Sequence, residues 1–169
     1  EARTQVQRLR ARSSAILSGV ESLIMDDSRL TLRAEQLQLN NADQVVHRQP
    51  LRVILDTHLR LPLAAACLSE PGRTLVITTS DHLEEKRERL TQAGAEVQVL
   101  PAGSDGRIDL VAMLQWLAEN EQVNELLVET GATLAGAMLD AALVDELQLF
   151  VAPTLLGGEA RPLFALPGL

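Results

Sequence analysis

The chain has 169 residues, of which 46% are hydrophobic and 22% are charged, the balance of a globular protein rather than a disordered one. A net charge of -8, with two Phe, one Trp and no Tyr, argues against nucleic-acid binding, which usually needs a basic surface and stacking aromatic side chains. The longest apolar stretch, residues 61–68, is far shorter than the roughly 18 residues of a transmembrane helix, so no membrane span is predicted.

Cysteine and histidine patterns exclude several kinds of site. Cys67 is the only cysteine, and the three histidines lack the spacing of metal ligands. The sequence therefore predicts no metal site and no zinc deaminase site in this chain. No charged segment followed by an apolar one opens the sequence, which favours a cytoplasmic protein over a secreted one.

Short apolar runs alternate with helical patterns along the chain. A helix over residues 1–12 is predicted to open the sequence. Extended segments are predicted at residues 15–17, 51–55, 74–78, 96–100, 125–129 and 146–152. Most of these runs are short and largely apolar, as in strands covered on both faces. The last one alternates apolar and polar residues, as expected for a less buried or antiparallel strand.

Three further helices are predicted between the strands. Asp81 and Glu84 resemble a capping box, and Gly94 ends the helix that follows them. A stripe of Leu and Met over residues 110–117 indicates a second helix with a core-facing side. The third helix is predicted over residues 133–142. Strands that alternate with helices predict a single α/β domain with a largely parallel central sheet and helices on both faces.

The most informative stretch is residues 126–137, LLVETGATLAGA. A buried strand ends in Glu129, turns through Gly131 and enters a helix near Thr133. Free backbone N–H groups and the helix dipole favour an anion at such a helix start, and the small residues that follow, among them Gly136, leave room for a ligand. The pattern is therefore consistent with a diphosphate cradle for a dinucleotide. A structural turn with a small-residue helix interface explains it equally, since no G-x-G-x-x-G motif or Walker lysine is present.

Charged residues add further candidates. Glu129 ends a predicted central strand, where open α/β sheets bind ligands. If it is buried, it requires a partner, which is either a ligand donor or an arginine of the chain. Arg10 and Arg33 carry guanidinium groups suited to bidentate phosphate contacts. Because the chain has fourteen Arg and one Lys, composition alone also explains these arginines.

Several segments, in order, resemble the reductase domain of bacterial riboflavin biosynthesis. They are residues 9–10, 15–17, 26–27, 30–33, 52–56, 128–136, 143–147, 152–157 and 166–168, so the resemblance covers nearly the whole chain. It implies a dihydrofolate-reductase-like fold and a homodimer or larger homo-oligomer. The implied activity is the NADPH-dependent reduction of the ribosyl group of 5-amino-6-(5-phosphoribosylamino)uracil to the ribitylamino product.

The resemblance also implies roles for individual residues. Substrate contacts are implied for Arg10, the backbone of Leu30, Arg33 and Glu129, with Glu129 as the candidate catalytic residue. Cofactor contacts are implied for Ser22, Asp26, Thr57, Gly131, Ala132, Thr133, Leu134, Ala135, Gly136 and Ala137. The hydroxyl groups of residues 78–80 suggest a further contact to the cofactor 2′-phosphate, which is inferred from their chemistry and not from the resemblance.

Parts of the family pattern are not found in this sequence. The opening S-L-D-G strand and the closing strands are absent, so both ends are expected to be cut and the sheet to lack its terminal strands. Many members also carry an N-terminal zinc deaminase domain, which is expected outside residues 1–169. Two alternative functions stay open. One is a related reductase acting on the undeaminated pyrimidine or a folate-like pteridine, and the other is a nucleotide-binding module without turnover.

Overall fold

A computed structural model of the chain describes residues 2–154, 157 and 160–166. Its strands are β1 (Ala15–Gly19), β2 (Leu51–Leu55), β3 (Thr74–Thr78), β4 (Glu96–Val99) and β5 (Leu126–Val128). They form one sheet in the order β4-β3-β2-β1-β5, and every pairing between them is parallel. The predicted largely parallel sheet is therefore confirmed. Residues 1, 155–156 and 167–169, which belong to segments named above, lie outside the described residues.

Helices connect the strands. They are α1 (Ala2–Arg12), α2 (Val20–Asp26), α3 (Ala34–Leu37), α4 (Ala42–Val46), α5 (Ala66–Ser69), α6 (Glu84–Gln92), α7 (Leu110–Glu121) and α8 (Ala132–Asp140). The four helices predicted from periodicity correspond to α1, α6, α7 and α8. The short helices α2 to α5 escaped prediction, because one or two turns are too few to produce a periodic apolar pattern. Within the described residues, no helix is long and apolar enough to cross a lipid bilayer.

The sheet separates two apolar clusters. Ile16 of β1 lies in the cluster that also contains Leu90 of α6. Leu17, the next residue, lies in the cluster that contains Met113 and Leu117 of α7. Because successive strand side chains point to opposite faces, helices cover both faces of the sheet, as predicted. The apolar stripe of α7 is likewise confirmed as core.

The starts of α6 and α7 differ in how they are capped. Asp109 precedes α7, and its carboxylate accepts hydrogen bonds of 2.9 and 3.0 Å from two backbone amides of the first turn. The residue that precedes α6 is Leu83, which provides no side-chain cap. The predicted capping box is therefore wrong. The helix begins at Glu84 itself, which leaves Asp81 outside it, in the preceding turn.

The predicted strand at residues 146–152 is also wrong, since this segment forms no strand. Leu147 and Val151 are 51% and 86% exposed. A strand needs a neighbour for its backbone N–H and C=O groups, and among the described residues β5 pairs only with β1. Residues of β5 and of this segment line a groove of about 690 Å³, so the two face each other without pairing.

Cys67 is a buried thiol on α5. Burial penalises the thiolate and raises the pKa of Cys67 to about 11. Because the thiolate is the reactive form, we expect native Cys67 to resist alkylation at neutral pH and to react fully after unfolding. Peptide mass spectrometry after iodoacetamide treatment, with and without denaturant, measures this difference. Equal labelling of the two samples would contradict the burial of the thiol.

Candidate active site

The strand order places a topological switch point between β1 and β5. From β1 the chain moves outward through β2, β3 and β4, and it then returns to the other side of β1 for β5. Open α/β sheets bind ligands at such a point, beside the carboxyl ends of the strands. Predicted site residues follow both strands at this point. Ser22 lies in α2, which begins directly after β1, and residues 129–131 follow β5.

The start of α8 is a potential anion site. Gly131 precedes the helix, and its amide donates to Ser22 Oγ at 3.2 Å, so this N–H is already used. The amides of residues 132–134 donate to no acceptor in the described part of the chain, whereas the amide of Ala135 bonds Gly131 O at 3.2 Å. The predicted cradle therefore narrows to three free N–H groups at the positive end of a helix dipole.

Gly136 lacks a side chain for a reason other than ligand access. A Cβ atom at this position would lie 2.1 Å from Ala165 O, and Ala165 donates its amide to Ala132 O at 2.9 Å. The backbone around Ala165 thus packs directly on the second turn of α8. This corrects the interpretation that Gly136 keeps a path clear for a ligand, because the space above it is filled by the chain itself.

Glu129 is paired with Arg10. The guanidinium Nε lies 2.7 Å from Oε1 and Nη2 lies 2.6 Å from Oε2, a bidentate pair whose side chains are only 13% and 24% exposed. Arg10 Nη1 also donates to Thr31 O at 2.8 Å. Of the two partners left open above for Glu129, the structure contains the arginine. These three contacts leave two of the five guanidinium N–H groups of Arg10 for other acceptors.

The predicted substrate segment, residues 30–33, contains a strained residue. Leu30 has a φ of 52°, a left-handed conformation that is costly for a bulky side chain and that tends to occur at functional sites. The residue is only 3% exposed, and its side chain belongs to the core. Arg33 follows with an exposed side chain. Arg33 thus presents an exposed guanidinium on the same loop as Leu30.

Two glutamines, which the sequence analysis did not single out, hold this segment. The buried Gln7 of α1 accepts from the amide of Arg33 at 2.9 Å and donates to Thr31 O at 3.4 Å. Gln49 accepts from the amide of Leu32 at 2.9 Å. Side chains thus satisfy backbone groups that no neighbouring strand satisfies. Glutamines in polar stretches carry no distinctive pattern, which is why sequence reasoning missed them.

The remaining cofactor candidates lie at the carboxyl ends of α2, β2 and β3. Asp26 is the exposed last residue of α2, and Thr57 follows β2. Thr57 O accepts from Thr78 Oγ1 at 2.9 Å and from Ser80 Oγ at 2.6 Å. Thr78 and Ser80 are 0% and 5% exposed, so their hydroxyl groups are used internally. The expected 2′-phosphate contact is therefore wrong for these two, and Thr79 alone of the three is partly exposed.

Asp56 is a buried carboxyl group at the end of β2 that sequence reasoning overlooked. Its Oδ2 accepts from the amide of Leu61 at 2.7 Å, while Oδ1 has no partner among the described residues. Burial raises the pKa of Asp56 above its ordinary value, against the opposing effect of backbone amides. The contact to Leu61 closes the loop that contains Thr57. No group of three or more His, Cys, Asp or Glu side chains suited to a metal is found within the described ranges.

Comparison with known proteins identifies the family. The description "RibD C-terminal domain" matches residues 1–169. The chain is 39% identical to riboflavin biosynthesis protein RibD of Escherichia coli, over 100% of this chain and 45% of that protein. It is 36% identical to 2,5-diamino-6-ribosylamino-4(3H)-pyrimidinone 5′-phosphate reductase of Archaeoglobus fulgidus, over 93% of this chain and 69% of that one.

A solved structure confirms the predicted fold class. RibD of Acinetobacter baumannii superposes with a TM-score of 0.81 at 37% identity, over 97% of this chain and 42% of that protein. The chain thus spans less than half the length of the RibD proteins from E. coli and A. baumannii. Because the family description matches its full length, the chain belongs to the RibD C-terminal domain family, whose fold is dihydrofolate-reductase-like.

Proposed function

We propose that the protein catalyses the NADPH-dependent reduction of the ribosyl group of 5-amino-6-(5-phosphoribosylamino)uracil to the ribitylamino product, in riboflavin biosynthesis. Family membership supports the pathway and the reductase chemistry. One structural observation carries the assignment. A helix start with free amides meets a bidentate Arg10–Glu129 pair at the switch point of the sheet. The amides at the helix start are complementary to the diphosphate of a dinucleotide, and the arginine is complementary to the phosphate of a phosphorylated substrate.

The donor set at the start of α8 fits the diphosphate of a nicotinamide dinucleotide. In this proposal the amides of residues 132–134 bind the diphosphate, and Ala135 and Ala137 shape the adjoining wall. Among the described residues, the Ser22 hydroxyl accepts from the amide of Gly131 and donates to no acceptor, so its hydrogen is available to a ligand there. Ser22, Asp26 and Thr57 then contact the rest of the cofactor. The bound cofactor would supply the hydride.

In this proposal the substrate is bound by Arg10 of α1, by the loop of residues 30–33 and by Glu129. Arg33 and the two remaining N–H groups of Arg10 attract the substrate phosphate, and the backbone of Leu30 offers a further polar contact. Glu129 accepts a hydrogen bond from a substrate hydroxyl or amino group, since a carboxylate is an acceptor only. Arg10 holds both oxygens of Glu129 in place, so the carboxylate is oriented before substrate arrives.

Cofactor preference tests the proposal directly. We expect the full-length protein to reduce its substrate with a higher kcat/KM for NADPH than for NADH, as the family resemblance implies. Initial rates of absorbance loss at 340 nm, measured with both cofactors over a range of concentrations, give the two values. Equal catalytic efficiencies would contradict the NADPH assignment, and no turnover with either cofactor would contradict the reductase proposal.

A second candidate substrate is the undeaminated pyrimidine, because the name of the Archaeoglobus relative specifies a diamino-pyrimidinone phosphate. Competition between the two pyrimidines at equal concentration, with products resolved by mass spectrometry, separates the candidates. Preferential formation of the deaminated ribitylamino product supports the first substrate. Preferential formation of the diamino product would instead identify the undeaminated pyrimidine as the substrate.

Three proposals concern the whole protein, and the length of the relatives bears on the first of them. The chain covers 45% of E. coli RibD, which fits a linked domain in the parent protein, and we propose that this domain is a deaminase that makes the substrate. We also propose that the parent protein is a cytoplasmic homo-oligomer. Mass photometry of the purified full-length protein measures its oligomeric state.

A further inference from the structure

We propose that Thr130 is a positioning residue that holds the loop after β5 against the junction of β1 and α2 and so sets the cofactor-binding geometry of α8. This inference rests on the proposed function, because it treats the start of α8 as the cofactor site. Thr130 lies between the candidate catalytic residue Glu129 and the first glycine of the cradle. None of the roles assigned above includes its side chain.

Two hydrogen bonds cross in opposite directions between the β1–α2 junction and the loop after β5. Gly19 donates its amide to Thr130 Oγ1 at 3.2 Å. Gly131 donates its amide to Ser22 Oγ at 3.2 Å. Each of the two segments thus supplies one backbone donor and one side-chain acceptor to the other. We call this pair of contacts the hydroxyl latch.

The hydroxyl latch lies directly beyond the last backbone hydrogen bond between β1 and the β5 segment. The amide of Glu129 donates to Leu17 O at 2.9 Å, which is the last backbone hydrogen bond between the two chain segments in the described structure. Beyond it, both segments turn into helices and their backbones separate. Side-chain hydroxyls are therefore the groups that satisfy the amides of Gly19 and Gly131 at this point.

The latch controls where two helices begin. Gly19 directly precedes α2, and Gly131 directly precedes α8. Fixing both glycines fixes the direction of the free amides of residues 132–134, which must converge on one anion. Preorganised donors bind more tightly than donors that must be ordered on binding. Loss of the Thr130 acceptor should therefore weaken cofactor binding more than it slows the reaction of the bound cofactor.

The test replaces Thr130 in the full-length protein. Thr130→Val keeps the shape of the side chain and removes the acceptor, which leaves the amide of Gly19 without its partner. We expect the dissociation constant for NADPH to rise by about tenfold, while kcat at saturating NADPH stays within about twofold. Thr130→Ser keeps the hydroxyl and should bind NADPH like the wild type. Amide hydrogen exchange at Gly19 should accelerate in the Val variant only.

Thr91→Val is the matched control. Thr91 lies on α6, is exposed, and donates its hydroxyl to Arg87 O at 3.0 Å, so its replacement removes a hydroxyl far from the switch point. This variant should bind NADPH like the wild type. A similar loss of affinity in the control would assign the effect to general destabilisation and overturn the inference.

Other outcomes separate the two proposals. Wild-type NADPH affinity in Thr130→Val would overturn the positioning role while leaving the proposed function intact. Equal weakening in the Val and Ser variants would overturn it as well, since the hydroxyl would then be irrelevant. A wild type that binds NADPH but reduces neither pyrimidine would refute the proposed function, and the affinity comparison would still decide the role of Thr130. A wild type that binds no NADPH would refute both.

Discussion

Replacing Arg10 with Ala is expected to lower the melting temperature by roughly 5–10 °C and to weaken substrate binding. The change leaves the Glu129 carboxylate, which is only 24% exposed, without its ion-pair partner, and it removes the 2.8 Å hydrogen bond from Arg10 to Thr31 O. Breaking a fully buried ion pair costs about 3–5 kcal/mol. Because this pair retains some exposure, we expect the free energy of unfolding to fall by about 2–3 kcal/mol. In a domain of this size, that loss corresponds to the stated shift in melting temperature.

A double-mutant cycle of Arg10→Ala and Glu129→Gln separates the pair from its neighbours. Glu129→Gln keeps the side-chain shape but loses the charge and one of the two contacts, so it should cost about 1–2 kcal/mol of stability and also reduce turnover. The double variant should be less destabilised than the sum of the single variants, because the two side chains are in contact. Melting temperature, substrate KM and kcat are measured on all four proteins.

An exposed ion pair provides the control for this cycle. Arg60 and Glu21 make a contact of 2.6 Å with side chains 46% and 67% exposed. Arg60→Ala should change stability by less than about 1 kcal/mol, as is usual for exposed pairs. Additive effects in the Arg10–Glu129 cycle would contradict a coupled pair. Wild-type turnover in Glu129→Gln would remove Glu129 from the catalytic assignment.

Gly136→Ala is expected to destabilise the domain although Ala is the better helix former. The new Cβ atom would lie 2.1 Å from Ala165 O, and a backbone carbonyl has no rotamer by which to move away. Overpacking of this kind costs about 1–3 kcal/mol, which exceeds the gain of up to about 1 kcal/mol from helix propensity. The segment 160–166 should therefore separate from α8. Hydrogen–deuterium exchange of peptides that cover this segment should increase, together with a lower melting temperature.

Gly131→Ala is the matched comparison on the same helix. The closest atom to a Cβ at Gly131 is Ser22 Oγ at 3.7 Å, which is ordinary van der Waals contact, and its φ of -80° suits any residue. This variant should leave exchange of residues 160–166 unchanged. Unchanged exchange in Gly136→Ala would show that the segment does not pack on α8 as described.

Local chemistry accounts for the parts of the fold that were predictable. The central strands β1, β2 and β3 are covered on both faces, so their sequences are short runs made mostly of apolar residues, which are visible without knowing their neighbours. Residues 146–152 show the limit of such reasoning. Their alternating pattern is typical of a strand, but a strand forms only where another strand lies alongside, and pairing partners are not a property of the segment.

By itself, the sequence determined the parallel sheet, the helices α1, α6, α7 and α8, and the strand–turn–helix segment 126–137, because each follows from apolar periodicity and turn chemistry within a short window. Only the tertiary structure decided which residues of these segments contact one another. Arg10 and Glu129 are 119 positions apart, yet they share two hydrogen bonds. Gly136 is a glycine because Ala165 crosses α8. Contacts between distant positions depend on how the elements pack in three dimensions, and no local pattern encodes that packing.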